Sequence, residues 1–187
     1  IKLEELFVSS APINSYLANA LYETLAWHDE NIDASGYSST NGKGVSIDAV
    51  AGSNYIVGSN YADTIKGGTG NDTIKGGIGD DNLYGVAGDN TFVFNSGDGK
   101  DKVYTGKGSD TLYFKTNKQP DGLTYTRSGN DLVVSGYGSA SDSVTIVNYF
   151  KGNSSITTIK TDAAATSNIK KIEQLTFDAV INVAGTD

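Results

Sequence analysis

Cysteine is absent from the 187 residues, which removes disulfides, structural thiolate sites and cysteine nucleophiles. Histidine occurs once, at His28, so neither a histidine-based triad nor a His-Glu-x-x-His zinc site can be assembled. No Gly-x-Ser-x-Gly elbow and no phosphate-loop signature occurs either, and the chain is expected not to be an enzyme. No apolar run is long enough to cross a bilayer, and no cleavable signal peptide is visible. Positive charge is also scarce. Against 22 acidic residues stand 14 basic ones, for a formal charge of -8, which argues against nucleic acid or an anionic membrane as partner. The start at Ile1 rather than methionine points to a piece of a longer chain.

What the chain does have is glycine and aspartate in a fixed rhythm. A nine-residue phrase reads Gly67-Gly68-Thr69-Gly70-Asn71-Asp72-Thr73-Ile74-Lys75, then Gly76-Gly77-Ile78-Gly79-Asp80-Asp81-Asn82-Leu83-Tyr84. Looser copies begin at Gly58 and Gly85, and a fainter one at Ala49, so that Ile56, Ile65, Ile74, Leu83 and Phe92 fall nine apart. Such a period has to be settled before any ordinary helix or strand assignment. The glycines permit backbone angles that a side chain resists, and the tight turn they form presents carbonyl oxygens beside the aspartate. The last three residues of each phrase predict a short strand with its middle side chain inward. One such strand cannot bury its apolar residue alone, so the copies must stack. Short strands separated by six-residue turns predict a flattened coil with two phrases per revolution. Alternate phrases then superpose, placing Asp63 against Asp81, Asp72 against Asn90, and Asn54 against Asp72.

Stacked carboxylates repel, and the apolar core available to resist them is thin. A cation between turns removes the repulsion and gathers carbonyls and carboxylates from two levels. A donor set of oxygen alone, on irregular loops, favours calcium over the more exacting magnesium.

These phrases resemble the repeats-in-toxin family, whose members carry Gly-Gly-x-Gly-x-Asp-x-U-x repeats in calcium-binding parallel β-rolls and are mostly exported by type I secretion. Residues 67–84 match at every defining position, whereas Ser59 and Tyr61 replace glycines in the copy from Gly58, and Val86 and Asn90 depart from the pattern in the copy from Gly85. The resemblance places metal ligands at Gly58, Asn60, Asp63, Gly67, Gly68, Gly70, Asp72, Gly76, Gly77, Gly79, Asp81 and Asn90, with Asp101 and Asp110 added by extension of the coil. Asn90 offers only a neutral oxygen, so the level it shares with Asp72 is expected to be weaker. On the order of two to four Ca2+ ions are expected.

Beyond Phe92 the interval to Val103 is two residues longer than the repeat, which predicts an enlarged turn at Gly97-Asp98-Gly99. Thr105-Gly106-Lys107-Gly108-Ser109-Asp110-Thr111-Leu112-Tyr113 then resumes the rhythm, with Asp101 over Asp81 and Asp110 over Asn90. Later segments resemble the tail that follows the rolls in haemolysin-type toxins. Leu123-Thr124-Tyr125-Thr126 and Leu132-Val133-Val134 read as a hairpin about Ser128-Gly129-Asn130-Asp131, and residues 142–150 and 172–177 as further strands. Residues 12–28 carry Leu17, Leu21 and Leu25 at helical spacing, with Pro12 in the first turn, and predict a helix closing the open end of the coil. Residues 31–44, rich in Ser, Asn and Gly, read as loop, and residues 45–50 as a strand leading into the repeats.

The expectation is therefore a mainly β protein: a parallel β-roll at residues 45–113, with an N-terminal helical cap and linker at 1–44 and a C-terminal β-strand cap at 114–187. The resemblance implies a calcium-binding domain that folds on secretion from a Gram-negative bacterium, with the type I export machinery as partner of the parent protein. An alternative is a calcium-stabilised adhesive module for a host receptor or glycan, with Trp27, Tyr37 and Tyr137 as candidate contact residues.

Overall fold

A three-residue strand cannot hold itself, and here each one finds its partner one revolution away along the chain. The computed structural model describes residues 30–152, 154–163 and 169–171. Nine strands build the coil: β1 (Asn31–Asp33), β2 (Ser46–Asp48), β3 (Tyr55–Val57), β4 (Thr64–Lys66), β5 (Thr73–Lys75), β6 (Asn82–Tyr84), β7 (Thr91–Phe94), β8 (Lys100–Tyr104) and β9 (Asp110–Phe114). Five follow: β10 (Thr124–Ser128), β11 (Asp131–Ser135), β12 (Ser143–Ile146), β13 (Ile156–Thr161) and β14 (Ile169–Lys171). They form two seven-stranded sheets, ordered β1-β3-β5-β7-β9-β13-β14 and β2-β4-β6-β8-β12-β11-β10. The chain thus alternates between sheets, two phrases to a revolution, in a mainly parallel β-solenoid.

Register follows directly from the repeat. Ile56 stands opposite Ile74, and Ile65 opposite Leu83, in parallel pairs. After the enlarged turn the spacing grows from 18 to 20 residues without loss of register, so that Leu83 pairs with Val103 and Phe92 with Leu112. The middle residues form two facing columns: Ile32, Ile56, Ile74, Phe92, Leu112 and Ile159 in one sheet, Ile47, Ile65, Leu83, Val103, Ile146 and Leu132 in the other. All are buried in one continuous core. From β7 onward the strands lengthen and admit a second apolar column, in which Phe94 and Phe114 stack at 5.4 Å and Tyr137 packs against both.

The coil starts earlier than the loop reading of residues 31–44 allowed, because Asn31–Asp33 pairs with Tyr55–Val57 and buries Ile32. Polar neighbours concealed that strand, since its only inward side chain is a single isoleucine. The hairpin forms between β10 and β11, with Ser128 opposite Asp131 and Gly129 at φ 61°. β12 ends at Ile146, short of the strand expected to reach Phe150, because Asn148 takes a left-handed φ of 59° and begins a 3-10 turn at Tyr149–Lys151. The helix expected at residues 12–28 and the strand at 172–177 lie outside the described residues. Among the described residues no helix is long and apolar enough to cross a membrane.

Candidate metal centre

Because the chain alternates between sheets, its turns fall on two opposite edges of the coil. The first edge carries the turns into β4, β6 and β8, and with them Gly58, Asn60, Asp63, Gly76, Gly77, Gly79, Asp81 and Asp101. The second carries the turns into β3, β5, β7 and β9, and with them Gly67, Gly68, Gly70, Asp72, Asn90 and Asp110. The fourteen residues expected to bind metal are therefore brought together as two separate groups. Asn60 stands exposed at its turn, whereas Asp63, Asp72, Asp81, Asn90, Asp101 and Asp110 are all buried.

Each buried side chain reaches one level back and accepts a main-chain amide there. On the first edge Val45 N donates to Asp63 Oδ1 at 2.7 Å, Asp63 N to Asp81 Oδ1 at 2.8 Å, and Asp81 N to Asp101 Oδ1 at 3.1 Å. On the second, Asn54 N donates to Asp72 Oδ1 at 2.8 Å, Asp72 N to Asn90 Oδ1 at 3.0 Å, and Asn90 N to Asp110 Oδ1 at 2.8 Å. These bonds fix the levels and aim the remaining oxygens into the turns.

The glycines make room for those oxygens. A Cβ on Gly76 would lie 2.1 Å from Asp81 Oδ2, one on Gly67 2.3 Å from Asp72 Oδ2, and one on Gly58 2.0 Å from the Gly76 carbonyl oxygen. Gly79, at φ 144°, carries the further cost that a side chain resists that backbone. Asp81 Oδ2 is buried and has no hydrogen-bond partner. An orphaned carboxylate oxygen of this kind is costly unless a cation or proton satisfies it.

Charge compounds the cost on the first edge. Successive levels lie about 4.8 Å apart, where two carboxylates repel by about 3 kcal/mol at an effective dielectric near 20. Burial, together with the charges of Asp63, Asp98 and Asp80, pushes the Asp81 carboxyl up to about 7. Burial and the charges of Asp81, Asp98 and Asp80 push Asp101 to about 8. Asp63 is also raised by burial, but Ser59 donates both its Oγ and its N–H to that carboxylate and partly offsets the effect. Burial likewise raises Asp110, against hydrogen bonds from Ser155 and Asn90.

Two acidic residues escaped the sequence reading. Asp98 is buried in the enlarged turn, where Asn95 donates to it and burial raises its pKa. Asp142 is buried as well; burial works to raise it, yet donors from Gly97, Ser139 and Gly99 outweigh this and hold it below the ordinary value. The lengthened interval between Phe92 and Val103 signalled Asp98, since an acid flanked by glycines in an inserted turn sits beside the ladder. Asp142 had no comparable signal.

Among the described residues no three carboxylate, histidine or cysteine side chains converge at one point. A metal here must take main-chain carbonyl oxygens beside a pair of carboxylates, and the donors present fit a hard ion such as calcium. Residues 57–92 and 93–114 match the family described as the RTX calcium-binding nonapeptide repeat (4 copies). Residues 57–114 are thus similar to that family. RTX repeats of this kind are structural, non-catalytic modules, and the matched stretch reads as a calcium-binding RTX-type repeat region. No curated protein matches it.

Proposed function

We propose that calcium switches this RTX domain from an export-competent unfolded chain to a folded coil once it reaches a calcium-rich medium. The observation that carries the reading is the ladder Asp63–Asp81–Asp101, three buried carboxylates on successive levels. Without a cation, their burial and mutual repulsion oppose folding; with one, binding free energy becomes folding free energy. At a calcium concentration about 1,000 times the dissociation constant, one site contributes about 4 kcal/mol. Carbonyls of Gly58, Gly76, Gly77 and Gly79 complete the shells on this edge, and on the order of two to four ions bind in all.

In this reading the parent protein is exported by type I secretion from a Gram-negative bacterium and works outside the cell. The strands that follow β9 close one end of the coil, which already begins at β1. The adhesive alternative gains nothing from Tyr37 or Tyr137: Tyr37 packs edge-on against Tyr61, and Tyr137 is buried against Phe94 and Phe114. Far-ultraviolet circular dichroism tests the proposal. The chain should be largely disordered in chelator at pH 8 and gain β signal in millimolar calcium, with magnesium a poor substitute. A cooperative melt in chelator, with the spectrum unchanged by calcium, would overturn it.

A further inference from the structure

The two edges solve the same burial problem with different chemistry. On the first edge every rung of the ladder is a carboxylate, and a carboxylate cannot donate to the carboxylate of the next level. On the second edge carboxylate alternates with carboxamide: Asn54, Asp72, Asn90, Asp110. Neighbouring charges are therefore about 5 Å apart on the first edge and about 10 Å apart on the second.

The asparagine amides occupy a distinctive place. Asn54 Nδ2 lies 3.0 Å from Asp72 Oδ1, 3.2 Å from the Ala51 carbonyl, 3.1 Å from that of Gly52 and 3.4 Å from that of Gly67. One nitrogen thus faces a carboxylate and three carbonyls drawn from two levels, the same kind of oxygen set that a calcium ion would gather. Asn90 Nδ2 does the same on a smaller scale, at 3.0 Å from Asp110 Oδ1 and 3.2 Å from the Gly88 carbonyl. Turning either amide over would aim its oxygen at oxygens, so the neighbours fix its orientation. The glycines show the substitution directly. The empty side of Gly85 faces Asn90 Nδ2, where the corresponding sides of Gly67 and Gly76 face the carboxylate oxygens Asp72 Oδ2 and Asp81 Oδ2.

We propose that the Asn54 and Asn90 carboxamides are built-in stand-ins for cations at their own rungs, so that calcium uptake is concentrated on the Asp63–Asp81–Asp101 edge. This rests on the calcium reading above and narrows it. The division makes the two rows of turns unequal: on one, two rungs are satisfied by their own carboxamides, while every rung of the other is a carboxylate. Folding then needs fewer ions than the number of phrases suggests. It also reassigns Asn90, whose amide replaces the ion instead of ligating it weakly.

Isothermal titration calorimetry of the full chain with calcium chloride, paired with circular dichroism in chelator, tests the division. Asp81→Asn gives the first edge the wiring of the second. It should lose about one bound ion per chain and retain more β signal in chelator than the unaltered chain. Asp72→Asn should leave the number of bound ions unchanged. Asn90→Asp should bind about one further ion and need more calcium to fold. Equal loss of stoichiometry in Asp72→Asn and Asp81→Asn would overturn the division while leaving the calcium reading intact. An unchanged ion count in Asn90→Asp, measured at saturating calcium where the roll is folded, would overturn it independently of how the other variants fold. An unaltered chain that takes up no calcium would instead overturn the proposed function itself.

Discussion

Val86 holds φ at 67°, a region that a β-branched residue strongly resists. Its counterpart one revolution back is Gly68 at φ 95°, as the pairing of Thr69 with Ala87 shows. The side chain is 45% exposed, so little burial compensates for the strain. Strain of this kind costs about 1–3 kcal/mol, and glycine gives back up to about 1 kcal/mol in backbone entropy. Val86→Gly should therefore stabilise the calcium-loaded domain by roughly 0.5–1 kcal/mol. Denaturant unfolding in saturating calcium reads this out, and a lower midpoint would refute it. At this scale the aspartates and glycines were legible, because each position of the phrase demands a particular backbone or oxygen. Asn90 is read differently in the proposal above, for a physical reason. A carboxamide carries both a donor and an acceptor, and spacing alone does not reveal which one faces the ring of carbonyls.

Between elements, legibility followed the period. Phrases with an unbroken nine-residue rhythm gave strands where the rhythm put them, and the insertion after Phe92 was absorbed in a turn. β13 was missed because its pairing with β9 shifts register between Ile156 and Thr158, so Ile156 and Ile159 are both buried although three residues apart. A bulge breaks the alternation by which a strand is read. In the proposed switch the element that governs folding is the first-edge ladder, and it carries a pH prediction. Asp81 at about 7 and Asp101 at about 8 both lie above their ordinary value of 3.8. Carboxyls raised in the folded state bind protons more tightly there, so they favour the metal-free fold fully below about 4 and lose that contribution as pH rises through 7 and 8. In chelator, β signal should therefore be greater at pH 5 than at pH 9. In calcium the order should reverse, because only the ionised carboxylates bind the ion, and the midpoint concentration should climb as pH falls below 7. Circular dichroism across that range, with and without calcium, checks both arms; a metal-free signal that rises with pH would contradict the assignment.

For the whole molecule the question is what closes the coil beyond β9. β12 pairs with β8 and covers Val103 with Ile146, while β13 pairs with β9 and covers Leu112 with Ile159. Tyr137 caps the stacked pair Phe94 and Phe114, its ring 4.6 Å from that of Phe114. Ending the chain at Lys118 keeps every metal phrase but strips cover from Phe94, Val103, Leu112 and Phe114 together. Each such side chain is worth about 1.5–3 kcal/mol when fully buried, so partial exposure of the four costs on the order of 3–6 kcal/mol. Each calcium site in large excess returns about 4 kcal/mol, so a loss of this size cancels the contribution of about one site. The truncated chain also presents β8 and β9 as open edges, where strands pair with other molecules. It should therefore fold weakly in millimolar calcium, with a shallow titration and a higher midpoint, and restoring residues 119–187 should recover a steep one. Calcium titrations of the two chains, followed by circular dichroism with light scattering to detect edge pairing, decide the matter. Coincident midpoints and slopes would show that the ions alone order the coil, and that the longer strands after Tyr113 are passengers on it.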